Sequence, residues 1–259
     1  MKDRLRKKLL YLRESHGIIG VKGGTEVEDM SFNELSILRD ISNEIVPMIV
    51  KIGGPEARND IRECLKLKVD GILAPMIESD YGLLNFTETI MEISTYNLKP
   101  LYLSINLETI TGYYNINSII NHPSFKKIHQ VTVGRTDLAG SMELPINHKD
   151  VMNITLDIVS RVKNMGKVTS VGGKIDALSA QEIKNLVQPD RINTRQISID
   201  LNKSKNLTFS VCEALSFEMD LCKLFIEVDA TKKDIYLKRI EDTKLRIGKR
   251  DLAFLPSFR

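Results

Sequence analysis

Short apolar runs rich in β-branched residues, each followed by a longer stretch of helical period, recur along this chain about every 25–30 residues, and no other feature constrains its fold as much. Segments 17–23 (GIIGVKG), 47–53, 71–77, 100–108, 129–135, 168–173 and 191–199 (RINTRQISI) read as strands. Segments 32–41, 56–68, 81–94, 115–121, 151–166 and 179–187 read as the helices between them, and 207–226 as a long amphipathic helix. Ser31 with Glu34, and Ser179 with Glu182, have capping-box spacing, Pro55 falls in a first turn and Gly166 ends a helix. Strands alternating with helices predict a parallel sheet covered on both faces. Seven repeats in 259 residues favour a (β/α)8 TIM barrel over an open sheet, because the first strand ends in KGGTEVED and not in a GxGxxG turn. The eighth strand is expected within 17–28, or else the barrel closes irregularly. The predicted organisation is an N-terminal helix and a single barrel domain over 1–230, then a basic helical tail over 231–259 that breaks at Gly248.

Hydrophobic residues at 42% and charged residues at 27% are those of an ordinary globular chain. A formal net charge of +3 argues against a dedicated nucleic-acid binder. The longest apolar runs, about six residues, are far from the ~20 that span a bilayer. The basic first residues have no apolar core of signal-peptide length, so a soluble, cytoplasmic protein with neither membrane nor nucleic-acid partner is expected. Cys64, Cys212 and Cys222 form no CxxC pair and read as buried thiols. The four histidines have no metal-binding spacing.

In such barrels the chemistry sits at the C-terminal ends of the strands. Those ends carry Lys22, Glu26, Glu28 and Asp29; Lys51 before Gly53-Gly54; Glu78 and Ser79; Asn106 and Glu108; Arg135, Thr136 and Asp137; Gly172-Gly173-Lys174; and Asn193 with Arg195. Glu108 and Asp137 follow neighbouring strands and form a natural pair for a hard divalent cation, Mg²⁺, Mn²⁺ or Co²⁺. Lys51 and Arg135 are candidate clamps for a substrate carboxylate. Each of these residues also fits a plainer reading as a helix cap or ion-pair partner. The tail cluster Lys244, Arg246, Lys249 and Arg250 is open to either an anion or a solvated face.

The runs APMIES (74–79), INLETITGYYNINSI (105–119) and VGRTDLAGSM (133–142) resemble, in order and spacing, the HpcH/HpaI aldolase and citrate lyase β-subunit family, and EVEDM (26–30) resembles the acidic turn of its citrate-lyase-like branch. The resemblance spans roughly residues 17–200. It implies a phosphoenolpyruvate/pyruvate-type barrel, often with its last helix exchanged between subunits, and so a homo-oligomer such as a trimer or hexamer. It further implies cleavage or formation of a carbon–carbon bond beside a 2-oxo acid or a CoA thioester, with a divalent metal held by Glu108 and Asp137 and the substrate carboxylate near Gly134–Asp137. Three departures stand out. Lys51 replaces the family's arginine, Val27 lies near the place of the aldolase histidine, and GRTDL replaces GPxDL, which puts Arg135 beside the metal.

The predicted activity is therefore a metal-dependent, aldolase-type lyase working through a pyruvate-like enolate. Lys51, Arg135, Glu26 and Glu28 are the candidate catalytic residues, and Lys22, Glu78, Gly134, Thr136 and Arg195 the candidate substrate contacts. With the histidine missing, Glu26, Glu28 or a metal-bound water is expected to act as base, and a glutamate in that role needs a pKa raised towards neutrality. Lys22 or Lys51 as a Schiff-base nucleophile is the rival mechanism. The alternative functions are an acyl-CoA lyase or hydrolase of the citrate lyase β type, or a non-catalytic barrel subunit.

Overall fold

The structure, a computed structural model, describes residues 1–94 and 100–248. Helix α1 (Lys2–His16) ends at Gly17, whose left-handed backbone (φ 69°) turns the chain into β1 (Ile18–Gly24). A Cβ at Gly17 would lie 2.7 Å from the backbone nitrogen of Ser204, so only glycine fits this turn. The chain continues through α2 (Phe32–Ser42), β2 (Met48–Lys51), α3 (Arg58–Lys66), β3 (Gly71–Ala74), α4 (Asp80–Ile93) and β4 (Tyr102–Asn106). The short helices α5 (Ile110–Tyr114) and α6 (Ile116–Asn121) lead to β5 (Gln130–Gly134), α7 (Arg135–Ser141), α8 (Lys149–Asn164), β6 (Val168–Gly172) and α9 (Ala177–Leu186). Strands β7 (Arg191–Asn193) and β8 (Ile197–Asp200) precede the long helices α10 (Leu207–Val228) and α11 (Lys233–Gly248).

The eight strands close into a barrel in chain order, β1 to β7 parallel. Strand β8 runs antiparallel to both β7 and β1. The run 191–199 is thus a hairpin and not one strand. Three residues separate its arms, too few for the crossover that a parallel partner requires, and the eighth strand lies here instead of within 17–28. The cap of α9 also differs from the expected Ser179–Glu182 box. Asp176 is the N-cap, accepting the Ser179 N–H, and Ser179 closes the box from inside the helix.

Strand alternation sorts the side chains. Met48, Val50, Leu103, Ile105, Val131, Val133 and Ile192 are buried in the apolar layer under the helices. Their neighbours Lys51, Tyr102, Asn106, Gln130, Thr132, Arg191 and Asn193 line cavities within the barrel. Barrel lumens are ordinarily packed with branched aliphatic residues; this one mixes them with polar and charged side chains.

The apolar positions of α10, Val211, Leu215, Phe217, Leu221 and Phe225, are all buried within the chain, and the helix packs on α1, α9 and α11. Helix α11 joins the same core through Tyr236 and Ile240. Its anchor is Glu34, the capping-box residue of α2. Buried Glu34 accepts hydrogen bonds from the Ser31 amide, the Tyr236 hydroxyl and Lys232. The three cysteines are buried, and burial first, with nearby carboxylates adding to it, pushes the Cys64 and Cys222 thiols up to about 12. No helix among the described residues is long and apolar enough to cross a membrane.

Replacing Glu34 by alanine should strand three buried or half-buried donors and cost about 2–4 kcal/mol, read as a lower urea midpoint. A loss no larger than that of an ordinary exposed capping-box mutation would contradict the anchoring role.

Candidate active site

The C-terminal strand ends open on a cavity of about 420 Å³. Glu108 lies on its wall because alternation along β4 carries the inward face from Asn106 past buried Leu107 to residue 108. Glu108 Oε2 accepts a 2.7 Å hydrogen bond from Asn106 Nδ2, and Oε1 accepts one of 3.2 Å from the Met76 amide. Met76 adopts φ 49°, a left-handed conformation costly for a non-glycine residue; it follows β3 and aims its N–H at the carboxylate. Below the carboxylate lies Gly134, where a Cβ would come within 2.3 Å of Glu108 Oε2. Asp137, in the first turn of α7, lines the same cavity. Burial, with the repulsion of Asp137 added to it, raises the Glu108 pKa to about 7 against the pull of Lys51.

Lys51 sits among carboxylates, 2.5 Å from Glu26 Oε2 and 3.7 Å from Glu108 Oε1. Burial alone would lower its pKa, but Glu108, Glu26 and Glu28 outweigh it and hold the ammonium above the ordinary lysine value. Burial likewise opposes the charge of Glu28. Lys22, 3.3 Å away, and then Lys51 outweigh it and hold the Glu28 pKa below the usual range. Glu28 packs on Gly24, where a Cβ would come within 2.6 Å of its Oε2. The expectation of a Glu28 raised towards neutrality is thereby reversed; Glu108 is the carboxylate so raised, because it is buried beside another acid.

Lys22, Glu28, Lys51, Glu108, Gly134, Thr136, Asp137 and Arg195 all line this cavity. Arg195 reaches it from the β7–β8 hairpin, whose turn is held by buried Glu218 accepting from the Thr194 hydroxyl (2.5 Å) and the Gln196 amide (2.6 Å). Three expected residues do not line it. Glu26 is engaged by Lys51 at the rim. Glu78 accepts a 2.5 Å hydrogen bond from Thr109, the N-cap of α5, and so ties the loops after β3 and β4 together. Arg135 opens α7 with its side chain turned back to β6, fully buried and donating to the carbonyls of Gly173 (2.8 Å) and Gly172 (3.4 Å). Burial lowers its pKa. Arg135 holds the Gly172-Gly173 turn, and Gly173 (φ 95°) admits no Cβ beside the Thr136 amide, 2.7 Å away.

The structure also brings in residues that local patterns hid. Asp176 lines the cavity while capping α9, and Asp242, Leu245 and Arg246 reach it from α11. Arg246 donates to the Ile175 carbonyl through two nitrogens. In the sequence it is one member of a basic run, and nothing local separates it from Lys244, which is exposed and pairs with Glu241. Lys249 and Arg250 lie outside the described residues.

Among the described residues no three His, Cys, Asp or Glu side chains converge as a metal cage. Two carboxylates with open positions beside them are nevertheless the donor set that Mg²⁺ and Mn²⁺ use when water and substrate complete the octahedron. Burial first, with Asp137 adding to it, keeps the Glu108 pKa raised despite Lys51. Glu108 and Asp137 fit a divalent cation.

A family model for HpcH/HpaI aldolase/citrate lyase matches residues 32–185. No curated protein matches the sequence. An HpcH/HpaI aldolase from Desulfitobacterium hafniense superposes with TM-score 0.59 at 16% identity, covering 74% of this chain and 81% of that one. An HpcH/HpaI aldolase/citrate lyase family protein from Burkholderia cenocepacia gives 0.57 at 14% identity, covering 73% and 92%. A citrate lyase from Burkholderia xenovorans gives 0.56 at 13% identity, covering 90% and 87%. At such identities the likeness is one of fold. The family assignment rests on the sequence model, which spans more than half of the chain: this protein belongs to the HpcH/HpaI aldolase/citrate lyase family, a group of carbon–carbon lyases.

Proposed function

We propose that this chain is a divalent-cation-dependent lyase that makes or breaks a carbon–carbon bond through the enolate of a 2-oxo acid. The observation that carries this reading is the acid pair itself: Glu108 and Asp137, presented by neighbouring strands to one cavity, with Glu108 raised to about 7. Mg²⁺ or Mn²⁺ held by these two residues would act as a Lewis acid on the substrate's 2-oxo group.

The chain's own residues do the rest. Thr136 and the backbone at Gly134–Asp137 hold the substrate carboxylate, and Arg195 adds positive charge on the opposite wall. Lys51 stabilises the charge that develops on the enolate oxygen. Its carboxylate neighbours keep it protonated, which disfavours it as a Schiff-base nucleophile, since that role needs a neutral amine. Glu28 lines the cavity outside the acid pair and accepts the proton, from the distal hydroxyl in cleavage and from C3 in exchange, although Lys22 and Lys51 make it a weaker base than an ordinary glutamate. Glu26, engaged by Lys51, positions that ammonium. Arg135 and Glu78 act on the loops and not on the substrate.

The test is exchange of the pyruvate C3 protons in D₂O followed by NMR. We expect exchange that requires Mg²⁺ or Mn²⁺ and is lost in Glu108→Gln and Asp137→Asn. Replacing Lys51 by methionine should slow it about 10²-fold or more, and so should Glu28→Gln. A cation bound by calorimetry with no exchange would overturn the lyase reading. Cation affinity surviving in the double variant would overturn the site.

A second expectation concerns pH. In cation-free protein, Glu108 has a pKa of about 7 against an ordinary 4.5. The folded state therefore holds an extra proton between these values, and this contribution is complete below 4.5 and lost as pH rises through 7. Glu108→Gln removes the titration. With chelator present, its stability relative to the parent should climb by about 3 kcal/mol between pH 4.5 and 8 in urea unfolding. A difference independent of pH would contradict the burial account.

A further inference from the structure

The lumen holds a second cavity, of about 240 Å³, at the opposite, N-terminal end of the barrel. Lys22, Thr132 and Asn193 border both cavities, so a single layer of side chains separates them. Barrel ends of this kind normally serve stability and are filled. Here one wall is apolar, built by Ile19, Val21, Pro47, Ile49 and Leu73, and the other carries the guanidinium of Arg191.

Arg191 is fixed in place. Its Nη1 donates to Gln130 Oε1 at 2.7 Å and to the Tyr102 hydroxyl at 3.4 Å, and its guanidinium lies 5.8 Å from the Tyr102 ring centre. Tyr102 is backed in turn by a stacked His129, with ring centroids 4.9 Å apart. Among the described residues the other edge of the guanidinium, Nε and Nη2, meets no acceptor, yet neither atom is sealed from solvent as a buried orphan would be. Two acids line the same mouth: Asp70 accepts from Arg39 (2.7 Å) and the Met48 amide, and Asp200, the cross-strand partner of Arg191, accepts from the Asn202 amide with Lys203 4.0 Å away, so neither forms an ion pair with Arg191. A pre-positioned arginine fork facing an apolar wall is the pattern of a carboxylate site with a hydrocarbon tail.

We propose that this cavity binds a small monocarboxylate with a short apolar chain, its carboxylate on the Nε/Nη2 edge of Arg191 and its chain against Ile49 and Leu73. The volume equals that of about eight water molecules in the liquid, which suits an acid of about eight non-hydrogen atoms. This is a site distinct from the acid pair, and it does not depend on the lyase reading.

Hexanoate is the probe. Calorimetry on the full chain should show one-to-one binding that persists with saturating pyruvate and Mg²⁺ and in Glu108→Gln. Hexanamide, lacking the charge, should bind at least about ten-fold more weakly to the same unmodified protein. Arg191→Met should weaken hexanoate by a similar factor, and Leu73→Phe should fill the chain's place and abolish binding. Nuclear Overhauser contacts from the hexanoate methylenes to the Tyr102 ring and the Leu73 methyls would locate it without any substitution. No binding, equal affinity for acid and amide, displacement by pyruvate, or methylene contacts elsewhere would each overturn the proposal. Failure of the lyase assay would leave these outcomes unchanged.

Discussion

Two carboxylates held side by side, one of them buried, set the terms for the rest of this site. Desolvating Glu108 near Asp137 opposes ionisation, and the fold offsets that opposition only in part, with one amide from a left-handed Met76, one from the Asn106 side chain, and a lysine 3.7 Å away. Each of these fixes something else. Met76 has to adopt a strained backbone, Gly134 has to lack a Cβ, and β4 has to keep its inward alternation past its last paired residue. A cavity wall arranged in this way around an incompletely neutralised acid pair is difficult to justify as a stability device, because buried charge without full compensation destabilises a fold. It is simple to justify as half of a cation site.

The positive charge in the cavity is distributed in a way that suits a lysine at position 51, where the resemblance implies an arginine. A lysine is a compact point charge with rotatable donors. Lys51 serves Glu26 and Glu108 together and is close enough to Glu28 to hold that pKa down as well. A rigid planar fork satisfies one carboxylate well and three poorly. The arginine at 135 does not restore the missing clamp either. Its Nε and Nη2 donate to the carbonyls of Gly172 and Gly173, where they brace the turn beside Thr136, and its Nη1 is buried without a partner among the described residues. Charge type and charge position both differ from what the resemblance implies, while Glu108 and Asp137 share one cavity wall.

How much of this was legible in the sequence follows from how local each determinant is. The strand–helix alternation and the Ser31–Glu34 cap depend on spacing within a few residues, and both are found in the structure; Lys51, Glu108 and Asp137, picked out by their places at strand ends, line one cavity. The hairpin 191–200 was not legible, because its turn, Thr194-Arg195-Gln196, contains no glycine or proline and is held by Glu218, 22 residues on from Gln196. The polar share of the lumen was also hidden. Runs such as QVTVG look apolar as strings, and only closure of the barrel shows that Gln130 and Thr132 face inward while Val131 and Val133 face the helices. The role of Glu34 was half visible: the cap is local, while its partners Lys232 and Tyr236 lie about 200 residues away.

That long-range anchor bears on what the last helix does. Helix α11 is basic and, by composition alone, indistinguishable from a solvated tail. Tied at its start to Glu34 through Lys232 and Tyr236, it runs to the barrel mouth and ends with Leu245 and Arg246 on the cavity wall. Arg246 arrives there already engaged by the Ile175 carbonyl, so its position is set by the backbone of the β6–α9 loop as well as by the helix. Two independent supports for a charged side chain at a cavity wall leave it little conformational freedom to lose when an anion arrives, and preorganisation of that kind raises affinity without adding a contact. In this chain the mouth is therefore shaped from within one polypeptide, by an element whose placement depends on a carboxylate at the other end of the sequence.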